Sequence, residues 1–152
     1  MRVVRAPELY LASTPGKTLF MAGGITGCPP WQSMLLARLG VTNNLIVFDP
    51  RQASFDVKNP EAASSQVAWE YHHFRHADAI SFWFPEETLC PIVLFELGAW
   101  SFDMENKIFV GMHPNYPRRL DVELQMALHR PGLEIVYDLD NLAEQIVAWA
   151  IE

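Results

Sequence analysis

Two carboxylates and a glycine-rich turn are the features of this sequence whose residue types and spacing can do chemistry. Glu96 stands alone in Ile92-Val93-Leu94-Phe95-Glu96-Leu97-Gly98-Ala99-Trp100, a segment apolar nearly all round and expected to form a buried helix. A carboxylate there needs a partner or a task, because desolvation makes an unpaired charge expensive. Either an arginine or a backbone amide ties it down, or it is poised to react. Glu70, flanked by Trp69 and Tyr71, lies on a helix that leads to the same sheet edge. Its plain reading is a solvated helix carboxylate. Two carboxyl groups brought into one pocket push their pKa values apart, giving one ionised nucleophile and one protonated acid. The helix dipole favours ionised Glu96 near an N-terminus and a proton-bearing Glu70 nearer a C-terminus. That division is what substitution at a glycosidic carbon requires.

The turn Gly23-Gly24-Ile25-Thr26-Gly27 offers backbone N–H groups beside a helix start, suited to a sugar hydroxyl or a phosphate. It is equally a tight turn that needs glycine, and it matches neither a Walker loop nor a dinucleotide fingerprint. Around it the candidate binding residues are Gly23, Gly24, Ile25, Thr26, Trp31, Arg51, Phe84, Pro85, Cys90 and His113. Trp31, Trp83 and Phe84 stack on a base or fill the core. Arg51, like Arg118 and Arg119 with Asp121, holds a hydroxyl or phosphate or makes an ion pair between subunits. His72, His73 and His76 form a local group with no Cys or Asp at ligand spacing, so neither a metal site nor a cofactor is expected. Asp78 reads as a cap or turn residue at the amino end of a strand.

The elements that must position these residues alternate along the chain. Thr18–Ala22, Asn44–Phe48, Ala79–Phe84, Lys107–Met112 and Leu133–Val136 are short, continuously apolar strands. Helices are expected from Pro29 or Pro30 through Leu39, from Pro60 to about Arg75, and from Pro91 to Trp100. Two more cover roughly Leu120–His129 and Asp140–Ile151. Glu8–Ala12 reads as a short edge strand, or the first seventeen residues form an arm. Five strands alternating with helices predict an α/β fold: a single-domain, doubly wound, five-stranded parallel sheet over residues 1–152, in flavodoxin-like order 2-1-3-4-5. Ligands bind such sheets beyond the carboxyl ends of the strands, where the winding reverses. That point lies between the first and third strands, where Gly23–Trp31 faces Pro85–Pro91 and Glu96 looks into the crevice.

Composition narrows the partners. Half of the 152 residues are hydrophobic and the formal charge is −7 with scattered basic residues, which argues against polymeric nucleic acid and anionic membranes. No apolar run reaches the length of a membrane span, and Ala6-Pro7-Glu8 interrupts any signal-peptide core. Two cysteines, Cys28 and Cys90, give no disulfide framework. The expectation is a cytoplasmic domain with free thiols.

Three stretches resemble the nucleoside 2-deoxyribosyltransferase superfamily, in its nucleoside 2-deoxyribosyltransferase-like branch: FMAGGITGCPPW at 20–31, QVAWEYHHFRHADAISFWFP at 66–85 and ETLCPIVLFELG at 87–98. KIFVGMHPNYPRRLDVELQ at 107–125 fits the branch too. The resemblance implies that Glu96 attacks the anomeric carbon of a nucleoside or nucleoside 5′-monophosphate to form a covalent glycosyl ester. It also implies that Glu70, eight residues before Asp78, is the second acid, with Glu in place of the family's Asp. Cys90 stands six residues before Glu96, where some transferases carry a base-binding Asp, and the C-terminal Ala150-Ile151-Glu152 lacks their polar end. Both departures weaken base exchange and are compatible with related hydrolases that cleave nucleoside monophosphates. The resemblance further implies a homodimer or larger homo-oligomer. The alternative is a non-catalytic nucleotide or nucleotide-sugar sensor that keeps the pocket without turnover.

Overall fold

The computed structural model describes residues 1–11, 15–40, 42–52 and 58–152. Among them run β1 (Arg2–Arg5), β2 (Lys17–Gly23), α1 (Trp31–Leu39), β3 (Leu45–Asp49), α2 (Pro60–His76), β4 (Ala79–Phe84), α3 (Pro91–Ser101), β5 (Lys107–Met112), α4 (Arg119–His129), β6 (Ile135–Val136) and α5 (Leu139–Ala150). Every strand pair is parallel, and the order is β1-β3-β2-β4-β5-β6. Without its outer strand β1, this is the flavodoxin-like order expected. The sixth strand is the difference in count. Winding reverses between β2 and β4, whose register runs from Leu19↔Ala79 to Gly23↔Trp83.

Strict alternation along the strands sorts the core into two layers. Phe20 and Ala22, Ile46 and Phe48, Ile80, Phe82 and Phe84, and Ile108, Val110 and Met112 face α2, α3 and α4. Leu19, Met21, Leu45, Val47, Trp83 and Phe109 face α1 and α5 on the other side. Both faces of β3 and β4 are buried, which is why these strands read as unbroken apolar runs. The crevice side is the first layer, so the even-numbered residues of β2 form its floor.

The edge strand lies earlier than expected. Arg2–Arg5 pairs with β3, whereas Glu8–Tyr10 is not a strand, and Ala12 lies outside the described residues. Only Val4 of β1 is buried, so the strand shows little apolar signal. Past the turn, the chain lies across α2: the indole of Trp69 donates to the Glu8 carbonyl (2.6 Å), and Tyr10 packs on Phe48. α3 also departs from expectation. Val93, Leu97 and Ser101 are buried, but Ile92 and Phe95 are 66% and 75% exposed. A helix on one sheet face has only one stripe to bury. Uniform apolarity hid which stripe that would be.

Asp78 sits at the amino end of the sheet, where its Oδ2 accepts from both the N–H and the hydroxyl of Thr18, each at 2.8 Å. Of the local histidine group, the middle member is likewise structural. His73 is fully buried, stacks on Trp69, and accepts the Tyr10 N–H at Nε2 (3.1 Å). Nδ1 therefore carries the proton and donates to the Trp69 carbonyl (2.7 Å). Among the described residues, no group of three His, Cys, Asp or Glu could hold a metal ion, and no helix is long and apolar enough to cross a membrane.

Burial pushes the His73 imidazole below its ordinary value. The unfolded chain then takes up this proton first as pH falls, so stability is full above about pH 6.5 and declines below it. The contribution is up to about 1.4 kcal/mol per pH unit. Urea unfolding at pH 7.5 and 5.5 should show a steeper loss for the wild type than for His73→Phe. Equal losses would exclude His73 as the source.

Candidate active site

The loop leaving β2 is shaped by close approach. A Cβ on Gly23 would lie 2.3 Å from the Trp31 ring and 2.6 Å from the Trp83 carbonyl oxygen. A Cβ on Gly24 would lie 2.8 Å from the sulfurs of both Cys28 and Cys90. Glycine is required at both positions by space. Trp31 braces the loop from behind, its indole N–H donating to the Gly24 carbonyl at 2.7 Å. Arg51 braces it from β3: Nε donates to Gln32 Oε1 (3.0 Å), and Nη2 reaches the carbonyls of Ile25 and Pro29, each at 3.3 Å.

Opposite this loop, β4 ends at Phe84, just before Pro85, and the chain turns into α3 through Cys90. Cys90 adopts a left-handed conformation (φ 49°), and Pro91 then opens the helix at the position where a missing N–H costs nothing. The hydroxyl of Tyr116 ties this turn by donating to the Leu89 carbonyl at 2.8 Å. Between the two loops and α2 lies a cavity of about 380 Å³. Its floor is Phe20 and Ala22, one wall runs from Gly23 to Thr26, and another is Cys90 and the first turn of α3. Glu70 from α2 and Glu96 from α3 both face it, with Gln52 and Gln66 beside them.

The region that forms these walls also carries a family signature. The sequence matches the family described as "nucleoside 2-deoxyribosyltransferase like" over residues 16–116. The chain belongs to the nucleoside 2-deoxyribosyltransferase-like family. No curated protein matches it. The matched region contains the whole cavity. Its partners outside the match are the N-terminal segment and the elements from α4 onward.

Of the candidate residues, the structure brings together Glu70, Glu96, Gly23, Gly24, Ile25, Thr26 and Cys90. The remaining five do not line the cavity. Trp31 is a core residue because its ring fills the space beneath Gly23. Phe84 points to the first core layer and packs on Tyr116, with ring centroids 5.0 Å apart. Pro85 is buried behind Gly24, and Arg51 spends its donors on the loop's carbonyls. His113 lies beyond β5, beside Glu86, where Nδ1 accepts the Asn115 N–H at 3.2 Å. Arg118 and Arg119 pair with Asp121 and Glu123 on α4.

Sequence reasoning passed over Gln52, Gln66 and Thr88, which line the cavity. Signals for two of them were present. Gln52 follows the carboxyl end of β3, and Gln66 stands one helical turn before Glu70.

Electrostatics reverse the expected division of the pair. Burial, reinforced by the charge of Glu70, pushes the Glu96 carboxyl up to about 8. Burial also raises Glu70, but a hydrogen bond from Gln66 opposes the rise. Burial therefore favours a proton on Glu96, where no hydrogen bond opposes it. Glu96 is the sixth residue of α3, past the first turn where the helix dipole acts, so desolvation decides its state. Cys90 is neutral too, its thiol pushed up to about 12 by burial. It presents no charge where some family members carry a carboxylate.

A carboxyl raised in the folded state favours folding at low pH. That benefit is full below about 4.5 and is lost as pH climbs through about 8. Glu96→Gln should therefore be more stable than wild type at pH 8.5, by about 2–4 kcal/mol, and nearly equal to it at pH 4.5. Calorimetry at both pH values checks this. A gap that does not change with pH would mean that Glu96 is solvated.

Proposed function

We propose that this chain cleaves the N-glycosidic bond of a nucleoside through a covalent glycosyl ester on Glu96. The observation that carries the reading is the convergence of Glu70 and Glu96 on one cavity, beside the glycine loop, at the winding reversal of the sheet. Two carboxyls in one pocket are the minimum equipment for displacement at an anomeric carbon with retention. Family membership supports the same chemistry.

The reaction starts from neutral Glu96 and ionised Glu70. Transfer of the one shared proton to Glu70 yields an ionised nucleophile and a protonated acid together. A carboxylate oxygen of Glu96 then bonds to C1′. The C1′–N bond breaks, its electron pair passes to the base nitrogen, and Glu70 delivers the proton to the leaving base. Water or an acceptor base next attacks C1′, Glu70 takes up its proton, and Glu96 is released. The loop from Gly23 to Thr26 holds the sugar end.

Charge favours a neutral nucleoside over a 5′-monophosphate. Among the described residues that line the cavity there is no Lys, Arg or His, and the single negative charge of the acid pair repels an anion. This moves the reading away from the monophosphate hydrolases with which the sequence alone is compatible.

Base release from ribo- and deoxynucleosides and their 5′-monophosphates, with and without an acceptor base, tests the proposal. Glu96→Ala should abolish release, and Glu70→Gln should lower it by about 10²–10⁴-fold. Release by Glu96→Ala would sink the glycosyl enzyme, and a preference for monophosphates would sink the charge argument. Ligand binding without release in the wild type would establish a sensor instead. The active pair carries one proton, so kcat/KM should fall above about pH 8, where Glu96 gives up the last one. A rate still rising at pH 9 would contradict that assignment.

A further inference from the structure

Gln66 is nine-tenths buried on α2, and its amide has its donors and its acceptor engaged. Nε2 donates to the Pro50 carbonyl at 2.9 Å and to Glu70 Oε1 at 2.7 Å. Its oxygen accepts from Nε2 of Gln52. The Pro50 carbonyl can only accept, so it decides which end of the amide faces it. A flipped amide would set its oxygen against both the Pro50 carbonyl and a carboxyl oxygen, with its NH₂ against the Gln52 donor. The second N–H of Gln66 is thereby committed to Glu70. An oxygen engaged by that N–H is the poorer seat for a proton, because protonation weakens it as an acceptor. Among the described residues, Glu70 Oε2 has no hydrogen-bond partner.

We propose that Gln66 is a positioning residue for the glycosidic reaction: locked by Pro50 and Gln52, its amide holds Glu70 Oε1 as an acceptor and leaves Oε2 to carry and deliver the proton. The proposal rests on the reading of Glu70 as the acid. It makes the exit of β3 and the acid on α2 one hydrogen-bonded unit, so the residues after Asp49 set how readily Glu70 parts with its proton. A purely structural Gln66 would tie Pro50 to α2 and leave the titration of Glu70 unchanged.

Carboxyl titration reads this without reference to activity. In a Glu96→Gln background, ¹³C NMR of labelled glutamate carboxyls follows Glu70 without its charged neighbour. Gln66→Met should raise the Glu70 midpoint by about one pH unit, the equivalent of one lost hydrogen bond. Gln66→Glu, which adds a second carboxyl, should raise it further. In the unsubstituted protein, the side-chain amide signals of Gln66 should shift with pH at the Glu70 midpoint, a readout that needs no variant to fold. With Glu96 present, Gln66→Met should lower kcat at least about tenfold while KM stays within about twofold, as expected when a transition-state interaction alone is lost. An unmoved Glu70 midpoint, or Gln66 amide signals indifferent to pH, overturns the proposal. Absence of base release from the wild type overturns the reaction itself, while the titration still decides whether Gln66 governs Glu70.

Discussion

Desolvation of the Glu96 carboxyl is the constraint from which the site follows. Ionising this group inside the cavity is unfavourable, and a second acid across the same space makes it more so. The opposing acid is eased by a neutral amide rather than by a cation, so among the described residues no positive charge holds the pair ionised. An arginine beside either carboxyl would hold both ionised and remove the acid. Instead Arg51 donates to Gln32 and to the loop carbonyls. The cation is used to shape the wall, and the cavity keeps its proton.

That wall depends on packing at the limit of contact. Gly23 lies between the Trp31 ring and the Trp83 carbonyl, and Gly24 lies against two thiols and Pro85. Trp31 and Pro85 sit behind the loop, and through it they set how far Gly23–Thr26 enters the cavity. Their aromatic or cyclic bulk matters to the site by position, not by contact with a ligand. α3 is fixed at both ends. Cys90 and Pro91 set its start, and Arg130 donates to the carbonyls of Trp100, Ser101 and Asp103 near its end. No basic residue of its own lies in its last turn, so Arg130 supplies the charge that its terminal carbonyls favour.

Much of this was legible in the sequence, and the exceptions have physical reasons. Ala79–Phe84 and Lys107–Met112 are doubly buried strands closed by Pro85 and His113-Pro114, so period and boundary agree. The convergence of Glu70 and Glu96 follows from the strand order, because the crevice of a doubly wound sheet has one place to be. β1 was hidden because an edge strand with a single buried valine carries almost no pattern. The exposed stripe of α3 was hidden because a helix apolar all round does not say which side meets the sheet. Trp31 and Phe84 stayed ambiguous for a related reason: an aromatic near the end of a strand stacks on a ligand or fills the core with the same composition.

The protonation of the pair was misjudged on a question of distance. Helix polarity favours an anion within the first turn, and Glu96 lies beyond it. At that depth the apolar walls of the cavity outweigh the backbone dipoles. Had the carboxylate been two or three residues earlier, it would have met free N–H groups, stayed ionised, and made a stable helix cap. Placed where it is, the same residue is costly to ionise, and the cost is lowest when a developing positive charge lies against it. An oxocarbenium-like sugar carbon supplies such a charge, and water does not. The burial that destabilises the resting anion is therefore the same feature that would let the anion stabilise a transition state.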